Sequence, residues 1–66
     1  MTDKDRLSNE GYHVADDYRN GVWHELAGKP PKDVWRFLVE EIRRRCPGFK
    51  DKEYDDALEQ GFVDSR

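Results

Sequence analysis

Between Pro31 and Arg45 the apolar residues Val34, Trp35, Leu38, Val39 and Ile42, followed by Cys46, fall within one arc of a helix. Arg36, Glu40, Arg43 and Arg44 lie opposite. A proline in the first helical turn forfeits no hydrogen bond, and the Pro47-Gly48 pair stops propagation, so the pattern predicts a helix over 31–45. Glu40/Arg44 and Glu41/Arg45 are spaced as i,i+4 ion pairs, each worth ~0.3 kcal/mol, and Asp33 at the start with three arginines at the end suits the helix dipole. Two residues fit this division poorly. Arg45 points near the apolar arc and must snorkel its head outward, and Phe37 lies on the polar side, where another segment covers it or a partner does.

The flanking segments carry the same period. Leu7, Gly11, Val14, Ala15, Tyr18, Val22 and Leu26, with Tyr12 and Trp23 at the edge, recur at helical spacing, with Ser8 or Asn9 as caps. Asn20-Gly21 is a strong breaker, which predicts a helix over 8–20, one further short turn and a loop through Ala27-Gly28-Lys29-Pro30. After Gly48, Phe49 is placed to return onto the end of the central helix. Tyr54, Ala57, Leu58, Gly61 and Phe62 then define a third helix over 52–62, with Asp51 as its cap. No useful period-2 alternation occurs. The expected fold is all-α, a small three-helix domain over 7–63 between a disordered N-terminal tail (1–6) and a C-terminal tail (64–66). Its expected core is Val14, Tyr18, Val34, Trp35, Leu38, Ile42, Leu58 and Phe62.

Sixty-six residues form one domain of marginal stability. Charged residues are 41% and apolar ones 35%, near the composition of disordered chains, yet two Trp, three Tyr and three Phe imply a packed core. The single Cys46 rules out an intramolecular disulfide, and no segment reads as a signal peptide or membrane span, so a cytoplasmic setting is expected. The net charge of −3 is uneven: residues 1–30 carry four Lys/Arg against six Asp/Glu, residues 31–46 five against three, and residues 47–66 three against six. The central helix is thus a basic element between acidic neighbours, which favours packing of the three segments against one another and also offers a face to an acidic partner.

Little of this assembles into chemistry. His13, Asp17, Asn20 and His24 would line one stripe of an unbroken first helix, but Asp17 and His24 stand two turns apart, about 10 Å, too far for one metal ion. His24-Glu25-Leu26-Ala27-Gly28 lacks the second histidine of a zinc-protease helix. Asp16-Asp17 and Asp55-Asp56 are adjacent pairs whose side chains diverge on a helix, so neither works alone as an acid/base couple. Cys46 at a helix C-terminus reads as a half-buried structural thiol, and Gly28-Lys29-Pro30-Pro31 lacks the spacing of a phosphate loop. No enzyme, cofactor or metal is expected.

Two binding readings remain. Arg36, Arg43 and Arg44, extended by Lys29, Lys32 and Arg45, offer contacts to phosphates of RNA or DNA, with Phe37 able to stack on a base. A pI near 5.3 and the interrupting Glu40 and Glu41 weigh against that. The other reading is a protein-interaction module, since Tyr12, Trp23, Trp35 and Phe37 are more large aromatics than three short helices need in a core. Self-association would use Trp35, Val39 and Cys46 as a homodimer seam. Gly11-Tyr12 with Asn20-Gly21, Cys46-Pro47 and Leu58-Glu59-Gln60-Gly61-Phe62 loosely resembles the scattered pattern of ribosome modulation factors. That resemblance covers a dozen residues at longer spacings, without the paired tryptophan motif, and adds only to the RNA alternative. The expectation is a small cytoplasmic, non-enzymatic accessory or regulatory protein that binds a protein partner through Arg36, Phe37, Arg43 and Arg44, with no membrane contact.

Overall fold

The computed structural model describes residues 3–66 and contains three helices, α1 (Asp3–Arg19), α2 (Pro31–Arg45) and α3 (Asp51–Asp64), with a single 3₁₀ turn over His24–Leu26 between the first two. The all-α three-helix fold is as the periodicity predicts, and among the described residues there is no strand. α2 has the predicted bounds. The others run longer. Of the tail expected over 1–6, Met1 and Thr2 lie outside the described residues, whereas Asp3–Arg6 form the first turn of α1. Asp3 and Asp5 in that turn suit the positive end of the helix dipole, and Leu7, 3% exposed, anchors the turn to the core. Ser8 and Asn9 therefore lie inside the helix and cap nothing.

The breaker pair after α1 acts as predicted. Gly21 takes φ +77°, its N–H bonds the Tyr18 carbonyl at 3.1 Å, and the Val22 N–H bonds the Asp17 carbonyl at 3.1 Å, a Schellman stop. The connection then drops Leu26 into the core at 3% exposure before α2 begins. α3 begins at Asp51, with Lys50 as N-cap and no side-chain capping bond. The aspartate expected as a cap turns instead to Arg43.

α1 and α3 run in the same direction, joined from Gly11 against Ala57 and Gly61 to Arg19, whose Nη2 donates to the Phe62 carbonyl at 3.0 Å. α2 runs opposite, its end beside Tyr54 and its start beside Asp55 and Phe62. Val14, Val34, Leu38, Ile42 and Leu58 of the expected core are buried. Trp35, Tyr18 and Phe62 are half-buried and form an aromatic cap at one end, with Trp35 stacked on Phe62 at 6.0 Å and Tyr18 edge-on to it at 6.1 Å. At the other end Tyr54 is fully buried. Its hydroxyl donates to the Cys46 carbonyl at 2.7 Å and accepts from the Phe49 N–H at 3.2 Å, while Phe49 packs edge-on against its ring. Cys46 is buried at 4% exposure, deeper than the half-buried position expected, because this loop closes over it.

Candidate functional site

The outer face of α2 is built by the spacing that leaves its inner face apolar. Phe37, Glu40, Glu41, Arg43 and Arg44 line a shallow depression of about 420 Å³ on it. Three of the four expected contact residues, Phe37, Arg43 and Arg44, thus share one place. Arg36 is exposed and lies outside it.

Phe37 is half-buried, and its cover comes from the α1–α2 connection: the Trp23 indole meets it edge-on at 5.7 Å with the rings at 71°. Such an edge-to-face pair is worth ~1 kcal/mol beyond the area it buries. Helical spacing puts Trp23 at the edge of the first apolar stripe. The glycine stop takes it off that stripe and delivers it to α2.

Each arginine at the end of α2 already has carboxylate partners. Arg43 Nη1 meets Glu40 Oε1 at 2.8 Å, its other terminal nitrogen pairs with Asp51, and its guanidinium lies over the Tyr54 ring at 5.4 Å. Arg44 Nη2 meets Glu41 Oε2 at 2.6 Å. Arg45 is held by Glu41 at 3.2 Å and reaches Glu10 at 3.8 Å and Asp17 at 3.9 Å on α1. Of the two expected pairs, Glu41/Arg45 forms and Glu40/Arg44 does not. Arg43, one turn from Glu40 and drawn toward α3 by Asp51, takes that carboxylate, and Arg44 turns to Glu41. Asp51, Glu10 and Asp17 come from other helices, so the i,i+4 rule gives no sign of them.

The polar stripe of the first helix is dispersed. Asp17 faces Arg45, the Asn20 amide donates to Asp16 at 3.4 Å, His13 lies edge-on to Tyr12, and His24 has moved to the 3₁₀ turn. Among the described residues no group of three His, Cys, Asp or Glu is placed to hold a metal ion, and no helix is long and apolar enough to cross a membrane. The seam expected for self-association is consumed within the chain: Val39 and Cys46 are buried, and the Trp35 indole N–H donates to Asp55 Oδ1 at 3.0 Å.

Compared with family models, curated proteins and solved structures, the chain finds no match.

Proposed function

We propose that this chain is a small non-enzymatic accessory or regulatory module that binds a protein partner in the cytoplasm through the outer face of α2. The observation that carries the reading is the half-exposed Phe37 ring in a depression walled by the Glu40–Arg43 and Glu41–Arg44 pairs. An aromatic anchor inside a charged rim is the composition of a protein-binding hot spot. The nucleic-acid alternative needs the same arginines. Their carboxylate pairing supports the protein reading, because phosphates would have to displace Glu40, Glu41 and Asp51 in a protein whose net charge is already −3.

A tagged full-length chain used as bait in lysate of its own source, with and without nuclease, tests this reading. It predicts a defined protein that survives nuclease and is lost from the Phe37→Ala, Arg44→Glu double variant. Recovery of nucleoprotein alone, removed by nuclease, would reverse the choice.

A further inference from the structure

The cations of α2 and the turn before it divide into two groups. Arg43, Arg44 and Arg45 at the helix end are each closed by carboxylates. Lys29, Lys32 and Arg36 are exposed and make no ion pair among the described residues. Over residues 29–37 these three stand against one carboxylate, Asp33. The uncompensated positive charge of the helix is therefore at its start.

Lys32 and Arg36 are i,i+4 neighbours on one side of the helix, and Phe37 follows Arg36 about 100° further round. Beyond Phe37 lies Trp23, half-buried and edge-on, and the preceding Val22 is 55% exposed. Aromatic surface and the two cations thus share the first turns of α2, with the exposed Asp33 on the face between Arg36 and Phe37.

We propose that the working contact is a strip running from Trp23 and Phe37 across α2 to Arg36 and Lys32, and that its occupant is an acidic segment of a protein partner carrying an apolar side chain. The proposal rests on the interaction-module reading and moves its centre from the paired arginines to the unpaired cations. Charge complementarity selects the occupant: carboxylates meet Lys32 and Arg36 without displacing an existing partner, and an apolar side chain meets the Trp23–Phe37 edge. Three cations release few counterions, so phosphate contacts alone would give only weak binding here.

The test titrates the isotope-labelled full chain with a glutamate homopeptide, with the same peptide carrying two central leucines, and with an oligouridylate of equal length. The leucine peptide should shift the amides of Lys32–Phe37 and the Trp23 indole resonance, leaving the Trp35 indole, held by Asp55, in place. It should bind several-fold tighter than the homopeptide. Lys32→Gln with Arg36→Gln should weaken it about tenfold, the equivalent of 1.4 kcal/mol, whereas Arg44→Gln should change it about twofold at most. Shifts centred on Arg43–Arg45, equal binding of the two peptides, a preference for the oligouridylate, or no binding would each overturn the proposal. The wild-type shift map decides even if the double variant loses its fold. A protein captured from lysate whose footprint lies on Arg43 and Arg44 would overturn this strip and leave the module reading standing.

Discussion

Gly61 of α3 faces Gly11 of α1 so closely that a methyl group built on Gly61 would stand 2.7 Å from the Gly11 carbonyl carbon and 2.9 Å from the Tyr12 nitrogen. The approach is as close from the other side, where a methyl on Gly11 would meet the Ala57 carbonyl carbon at 2.7 Å. With Ala15 fully buried on α1 and Ala57 on α3, the helices cross on small residues, and backbone approaches backbone.

This crossing fixes the sign of a substitution. Alanine is ordinarily better than glycine inside a helix, by about 1 kcal/mol. Here Gly11→Ala and Gly61→Ala should each destabilise by about 2 kcal/mol or more, because the neighbour that must move is backbone rather than a flexible side chain. Urea denaturation checks this. Gly28→Ala is the control: nothing lies within 4 Å of its missing methyl, and at φ +82° it should lose about 1 kcal/mol from backbone strain alone.

Tyr54→Phe removes one oxygen and leaves the ring packed. The Cys46 carbonyl and the Phe49 N–H both lose their partner for that oxygen, so a loss of about 1–2 kcal/mol is expected by the same denaturation. The loop over 46–50 should open with it, seen as faster hydrogen exchange at Phe49 while Leu38 keeps its protection.

How far the sequence discloses this molecule depends on the range of each signal. Period 3.6 together with Pro31, Gly21 and Gly48 predicts three helices, and α2 to the residue, because those signals are local. Gly11 and Gly61 fall in register with the apolar stripes, but what they serve, a close crossing, needs the partner helix in place. The same holds for the site. Phe37 stands out as an aromatic on a polar face, whereas its cover by Trp23 follows from how the connection turns back after the Schellman stop. A count of arginines finds a basic patch. Only the fold shows that Asp51, Glu10 and Asp17 neutralise its end and leave Lys32 and Arg36 without an ion pair among the described residues.

Arg45 joins α1 to α2. Its side chain is 33% exposed and stands among Glu10, Asp17 and Glu41, so removing it takes the cation from Glu10 and Asp17 and leaves Glu41 with Arg44 alone. Arg45→Ala should destabilise by about 1 kcal/mol, modest because water and salt screen a partly exposed cluster. Arg44→Ala, which frees a side chain 77% exposed, should cost close to nothing. The two variants should also differ in salt response: added sodium chloride screens the carboxylate repulsion and should recover part of the Arg45→Ala loss.

Association of the chain with itself has lost its expected surface, and apart from the small Val22–Trp23–Phe37 edge the remaining apolar exposure is dispersed. Val39 and Cys46 are closed inside the protomer and Trp35 is bound to Asp55, while among the described residues the large apolar side chains left exposed are Tyr12 on α1, Val22 in the connection and Val63 on α3. Single apolar residues on separate elements do not make the contiguous patch of several hundred Å² that marks a stable interface. Sedimentation equilibrium at micromolar concentration should therefore give a monomer, unchanged by Val63→Asp. A concentration-dependent dimer abolished by Val22→Asp would instead show that the Trp23–Phe37 edge is covered by a second copy, and the acidic-segment proposal would give way to self-association at that strip.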